Sequence, residues 1–333
     1  MNLDGHDLSA LVAGLQKHDG LLRKQDVQAP AHALASHGAI RNGDDAAAIA
    51  DRDGSGYTLL AAEGMLPAFV AREPFFAGFC AVMANVSDIA AMGGRAQAIV
   101  DVLFAGENSA EVRAVLEGLA AGADTFGVPI VGGHTARSNA GTYLSAAIVG
   151  RASRLITSFD VRPGDVILAC TDLRGAFRGD SANFDAVSGA EPARVRAQLE
   201  LLPQLAEADL VHAGKDISMA GMLGTLLMLL EMSDCGAIVD MSAIPAPPEV
   251  QHDPGRWLRA FPSFGYLLAA RRNKVREVIA RFDALGVHAA AIADIHASNT
   301  LDVSYGSRTE RFWDLAKMPL LGLGTQPGVS RHA

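Results

Sequence analysis

Four short stretches carry the residue types from which metal and phosphate chemistry is built. "NGDDAA" sets Asp44 and Asp45 side by side just before an apolar strand pattern. "ANVSDIAAMGG" places Asp88 inside a long apolar run, and "PIVGGHTARS" gathers Gly132, Gly133, His134 and Thr135 at one corner. "HAGKDISMAGMLG" puts Lys215 and Asp216 at the mouth of the most apolar helix pattern in the second half. Carboxylates are hard oxygen donors, so an adjacent pair at a strand mouth suits Mg²⁺ better than a soft metal. Paired glycines let backbone N–H groups approach an anion closely, with Thr135 and Ser138 as added donors. Together these parts suit Mg²⁺-dependent binding of a nucleoside triphosphate.

Each stretch also has a plain structural account. Asn42-Gly43 is a hairpin-turn signal, which would leave Asp44 and Asp45 as a solvated pair. Asp88 needs compensation, since an unpaired buried charge is costly; a helix end, Arg95 or a cation would each serve. His134 fits an ordinary polar loop, and Asp216 or Ser218 fits a helix N-cap. Missing motifs narrow the field. No G-x-x-x-x-G-K-[ST] and no G-x-G-x-x-G occurs, which excludes a P-loop and a dinucleotide fold. The lack of G-x-S-x-G and H-E-x-x-H lowers the hydrolase and zincin readings.

The elements that must position these residues follow from periodicity. Leu8, Leu11, Val12 and Leu15 predict a helix over 7–16. "DDAAAIA" and "YTLLAA" read as strands around the turn "DRDGSG". An apolar helix over 74–92 starts at Pro74 and stops at Gly93-Gly94. "QAIVDVLF" is a strand, 109–127 a helix capped by Ser109 with a stripe of Val112, Val115, Leu116 and Leu119, and "VPIV" a strand running into the paired glycines. After the strand "TYLSAAIVG", the Pro163-Gly164 turn opens a second unit of strands and helices. Two domains are expected, at 1–150 and 151–333, both of mixed α/β character, with a loop-like, frayed C-terminus.

Composition sets the outer limits. The chain has 333 residues and a net charge of −9, so nucleic acid and anionic membranes are poor partners. The three cysteines are far apart and lack metal-knuckle spacing, which points to a reduced, cytoplasmic setting. No basic, apolar leader opens the chain, and the 75–94 run carries Asn85, Ser87 and Asp88 inside it, which argues against a membrane span.

In this order and at these separations, "GDDAA", "ANVSDIAAMGG", "VGGHT" and "KDISMAGML" resemble the AIR synthase-like superfamily. Its members include aminoimidazole ribonucleotide synthetase, thiamine-monophosphate kinase, selenophosphate synthetase and the hydrogenase-maturation dehydratase. The resemblance spans roughly residues 20 to 300. It implies two α/β domains, the first pairing its sheet with that of a second copy in a barrel-like homodimer core and binding ATP in a groove. Carried over by motif, Asp44, Asp45 and Asp88 hold Mg²⁺, and Gly132, Gly133, His134 and Thr135 lie on a glycine-rich turn near the phosphates. By the same resemblance, Asp216 falls on the aspartate that the second domain contributes to the cleft, and with Asp44 and Asp88 it is expected to be catalytic.

Departures from the family pattern leave the substrate open. Glu63 stands where relatives have Asp, His134 where the kinase has Asp, and Met219 where the kinase has a further carboxylate. The expected activity is ATP- and Mg²⁺-dependent phosphoryl transfer to an oxygen of a small molecule, as a kinase or an ATP-driven synthetase. Arg174, Arg178 and Lys215 are candidates to grip an anionic acceptor. The alternative is a nucleotide-binding regulatory or scaffold protein without turnover.

Overall fold

The computed structural model describes residues 1–33 and 40–324. The chain forms two compact units, neither contiguous in sequence. One gathers Met1–Asp44, Ile156–Ala186 and Ala208–Ala333; the other gathers Asp45–Leu155 and Val187–Glu207. Each is mixed α/β.

The first unit opens with α1 (Leu8–Gln16), capped by Asp7, whose carboxylate accepts the N–H groups of Ser9 and Ala10. It buries Leu8, Val12 and Leu15, one face of a 3.6-residue period. Two short helices, α2 (Asp19–Leu22) and α3 (Gln28–Ala33), follow.

The second unit starts with the hairpin β1 (Ala47–Ala50) and β2 (Tyr57–Met65), turned by Gly54 and Gly56 at positive φ. Next come α4 (Pro67–Arg72), α5 (Pro74–Ala91), β3 (Arg95–Ala105), α6 (Ser109–Phe126), β4 (Ile130–Arg137) and β5 (Tyr143–Ala152). The strands order as β1-β2-β5-β3-β4, antiparallel except for β3–β4, which α6 joins as a crossover. Pro74 opens α5 as expected. Membrane-length by composition, α5 is 83% buried inside the protein and forms the core of this unit. Asn108, not Ser109, caps α6, and left-handed Gly127 closes it. The buried face of α6 is Val115, Gly118, Leu119, Gly122 and Phe126; Leu116 points outward. The glycines let the helices touch backbone to backbone: a Cβ on Gly118 would lie 1.9 Å from the Phe75 carbonyl oxygen. The α7 helix (Pro192–Glu207) belongs to this unit as well, packing a face of Val195, Leu201, Leu202 and Leu205 against α5 and α6, while Arg95 on β3 donates to Glu200 and Glu207 at 2.6 Å each.

On the sheet face away from α5, Ile49, Leu60, Val100, Phe104 and Tyr143 are exposed. That is an uncovered apolar surface on an otherwise acidic chain.

The rest of the first unit supplies β6 (Asp165–Thr171), the small hairpin β7 (Ala176–Phe177) and β8 (Phe184–Asp185), β9 (Ala213–Asp216) and α8 (Gly221–Ser233). Then follow β10 (Gly236–Asp240), α9 (Pro254–Leu258), β11 (Gly265–Arg271), α10 (Val275–Asp283), β12 (His288–His296), β13 (Thr300–Tyr305) and β14 (Arg308–Asp314). Seven strands order as β14-β13-β10-β12-β6-β11-β9, with only β10–β13 parallel. Every residue of β6 is buried, as a central strand demands. Sequence periodicity assigns no strand to 300–314. There β14 is an edge strand rich in charge, and Arg311 pairs across to Asp302. The expected fraying of the last residues falls mostly on 325–333, outside the described residues.

Candidate metal and nucleotide site

Asp45 stands two residues before β1, at the mouth of the hairpin. Asp88 lies in the last turn of α5 and is 6% exposed. Carboxylate oxygens of the two approach within 4.8 Å. At an effective dielectric near 20, two such charges repel by about 3–4 kcal/mol, a cost that a bound cation reverses. Arg95, the structural partner considered for Asp88, is engaged elsewhere. Hydrogen bonds to Glu207 and Glu200 raise its guanidinium pKa further above the usual value.

Behind this pair runs a polar row across the sheet. Glu63 on β2 registers with Ala146 on β5, Ala146 with Asp101 on β3, and Asp101 with Gly133 on β4. Neighbouring strands lie about 4.8 Å apart, so Glu63 and Asp101 flank Ala146 on the helix-facing side. Above Ala146 sits Asn85, one turn before Asp88. Its Nδ2 donates to the carbonyls of Ala81 (2.8 Å) and Ala146 (3.2 Å). Its fully buried Oδ1 accepts no hydrogen bond among the described residues. Asn85 Oδ1 and the Asp101 carboxylate thus place oxygen acceptors on the helix-facing side of this sheet.

The paired glycines are not a strand-to-loop corner. They sit within β4, an exposed edge strand that runs on to Arg137. Gly132 has open space around it, whereas a Cβ on Gly133 would lie 2.3 Å from Asp101 Oδ1. Gly133 is glycine because a carboxylate lies over it. His134 and Thr135 are exposed, with the His134 ring 6.5 Å from that of Phe104. The four motifs miss Asp101, although a charge inside the apolar "QAIVDVLF" gives the same signal as Asp88. Desolvation raises its carboxyl pKa.

In the other unit, Asp44 is clasped by Ser158, whose backbone N–H (2.8 Å) and hydroxyl (2.6 Å) each donate to one carboxylate oxygen. Asp216 ends β9 opposite Tyr266, and the buried Lys215 registers with Leu267. Neither Asp216 nor Ser218 caps the following helix; the N-cap of α8 is Ala220, without a side-chain bond. Arg174 donates through Nε and Nη2 to the buried Asp172, both at 2.8 Å, which raises its pKa. Arg178 reaches Asp185 at 3.1 Å across the β7–β8 hairpin. Both arginines are thus braced by carboxylates while their side chains stay partly exposed.

The architecture defines a class: a two-unit α/β protein whose first sheet carries acidic groups under a buried helix. Residues 43–152 match the family described as AIR synthase related protein, N-terminal domain, and residues 162–306 match AIR synthase related protein, C-terminal domain. The chain belongs to this AIR synthase related family. It is 44% identical to the Synechocystis sp. protein sll0787 over 95% of this chain and 98% of that one. It is 31% identical to thiamine-monophosphate kinase of Halobacterium salinarum over 64% of this chain and 74% of the kinase. Among solved structures, Thermotoga maritima PurL complexed with ADP superposes with a TM-score of 0.75 at 19% identity, over 95% of this chain and 52% of PurL. The chain thus spans about half of that protein.

Proposed function

We propose that this protein is an ATP- and Mg²⁺-dependent enzyme that transfers a phosphoryl group to an oxygen of a small-molecule acceptor, as a kinase or an activating synthetase. The observation that carries it is the Asp45–Asp88 pair, two carboxylates within 4.8 Å, one of them buried in the core helix. The donor set fits Mg²⁺: it is all oxygen, without thiol or imidazole. When bound, Mg²⁺ supplies charge neutralisation at phosphate oxygens. The chain's own task is to hold its oxygens still. Burial in α5 fixes Asp88, the strand mouth fixes Asp45, and Glu63 and Asp44 are assigned to the same cation-binding set. Gly132, Gly133, His134 and Thr135 are assigned to the phosphates, and Asp216 to catalysis. Arg174, Arg178 and Lys215 are assigned to an anionic acceptor. A complex of PurL with ADP and one of the kinase AaThiL with AMPPCP and TMP support nucleotide binding on this fold.

Isothermal titration with ATP·Mg²⁺, alongside an ATPase assay, tests the proposal. Absence of binding sinks it. Binding that never leads to turnover with any acceptor favours the scaffold alternative, which the departures at Glu63 and Met219 also favour. The same proposal places the enzyme in the cytoplasm, where the buried thiols Cys80, Cys170 and Cys235 stay reduced.

Self-association through the first sheet belongs to the proposal, supported by its exposed Leu60, Val100 and Phe104. Phe104→Glu should convert a dimer to a monomer in sedimentation velocity with an unaltered circular dichroism spectrum. A monomeric wild type would remove the dimer.

Asp101 gives a separate expectation. Its folded pKa is raised, so the folded chain binds this proton more tightly than the unfolded chain does. That contribution is complete at low pH and is lost as pH rises through the folded pKa. Asp101→Asn should therefore gain thermal stability relative to wild type from about pH 4 upward. A melting-temperature difference that stays flat with pH would show that Asp101 is not desolvated.

A further inference from the structure

The charge at Glu231 has no place in the site described so far. It lies near the end of α8, a helix buried along its whole length, and is 6% exposed. Its carboxylate accepts three backbone N–H groups in a row: Leu320 (2.7 Å), Leu321 (2.8 Å) and Gly322 (2.7 Å). Successive N–H groups around one anion form a nest, a strong compensation for a buried charge. Glu231 thereby pins residues 320–322 of the C-terminal segment to the helix.

The next residue of that segment turns the anchor toward the acidic motif. The Leu323 carbonyl accepts a hydrogen bond from Arg41 Nη2, while Arg41 Nη1 donates to the carbonyl of Met232 at 2.9 Å. Gly43, at φ +113, is packed so tightly that a Cβ would lie 2.8 Å from Met232 Cε and 3.0 Å from Leu323 Cδ1. One residue later comes Asp44, clasped by Ser158. The Ser158 carbonyl accepts from the hydroxyl of Ser233 at 2.8 Å, and Ser233 is the last residue of α8. Residues 231–233 thus hold both ends of the Arg41–Asp44 segment, one through the C-terminal chain and one through Ser158.

We propose that residues 320–323 form a strap that sets the Arg41–Asp44 segment in its binding geometry, with Glu231 as the positioning residue that anchors the strap. The inference rests on the assignment of Asp44 to cation and nucleotide binding. Glu231 itself touches neither. Groups one step behind a metal ligand typically change metal affinity 10–100-fold, which sets the size of effect to look for.

Two variants of the full chain test it. Glu231→Gln removes the anchor charge, and Arg41→Met removes the link while leaving the nest untouched. Amide hydrogen exchange without nucleotide should speed up over residues 40–45 in both, whether or not the protein binds ATP. Unchanged exchange in Arg41→Met overturns the strap. Titration with ATP·Mg²⁺ should then show Kd raised about tenfold in each variant. In an Asp44→Asn background Glu231→Gln should cause no further loss, because the two act through one group. A merely structural Glu231 would lower the melting temperature with Kd unchanged, or would add its loss independently, and either result overturns the positioning role. If the wild type binds no ATP·Mg²⁺, the proposed function fails, while the exchange result still decides the strap.

Discussion

Asp88→Asn should abolish Mg²⁺-dependent nucleotide binding and leave the fold intact or slightly firmer. Asparagine matches the shape of aspartate, so the 6%-exposed site keeps its packing. What is lost is one of two negative charges within 4.8 Å. In the ligand-free protein that loss relieves repulsion, on the order of a few kcal/mol at most. With ligand it removes a carboxylate oxygen from the cation, and affinity for ATP·Mg²⁺ should fall at least about 100-fold. Two measurements separate the effects. Mg²⁺ with ATP should raise the wild-type melting temperature by mass action and leave that of Asp88→Asn unmoved. Without ligand, the variant should melt at or above the wild-type temperature. Unchanged affinity would remove Asp88 from the site, and a large drop in ligand-free melting temperature would mean that the charge is structural.

The same local signal can have different answers, which is why only part of this molecule is legible from its residues. Asp88, Asp101 and Glu231 are each a charge inside an apolar pattern. Glu231 is answered by three backbone N–H groups from residues some ninety positions away, contacts that no local pattern encodes. Asp101 is answered by an absence, the missing Cβ of Gly133 on the next strand. Asp88 has a carboxylate oxygen within 4.8 Å of one of Asp45. The sequence marks all three as anomalies, and only tertiary register tells them apart.

Apolar patterning serves best where burial is extensive, whether of one face, as in α1 and α6, or of nearly the whole element, as in α5, β6 and β11. These, and β3, stand where their apolar residues put them. It fails where glycine pairs imitate a loop. Gly132-Gly133 continues an edge strand, because β4 needs no packed side chains on either exposed face. It also fails at β13–β14, where charges on the edge strand β14 hide a hairpin. Nor can it place α7, whose apolar face packs on α5 and α6, elements distant from it in the chain.

The helix glycines offer the sharpest test of this distinction, because two of them read alike in sequence and should respond in opposite directions. Gly14 lies in α1, and an added Cβ there would meet nothing within 4 Å. Gly14→Ala should therefore stabilise the protein by about 0.5–1 kcal/mol, the ordinary helix-propensity gain. Gly118 lies in α6 against α5, where a Cβ would stand 1.9 Å from the Phe75 carbonyl oxygen and 2.9 Å from the Phe79 nitrogen. Those are backbone atoms of a buried helix and cannot rotate away. From the other side, a Cβ on Gly78 of α5 would meet the Val115 carbonyl oxygen at 2.1 Å, so the two helices are locked by reciprocal contacts. Gly118→Ala gains the same propensity but must push the helices apart, and overpacking of this kind costs about 1–3 kcal/mol or more. The net change should be a loss of about 2 kcal/mol, a fall of several degrees in melting temperature. Because α5 carries Asp88, the displacement should also weaken ATP·Mg²⁺ binding, whereas Gly14→Ala should leave it unchanged. Equal and stabilising responses at both positions would show that α5 and α6 are not in backbone contact.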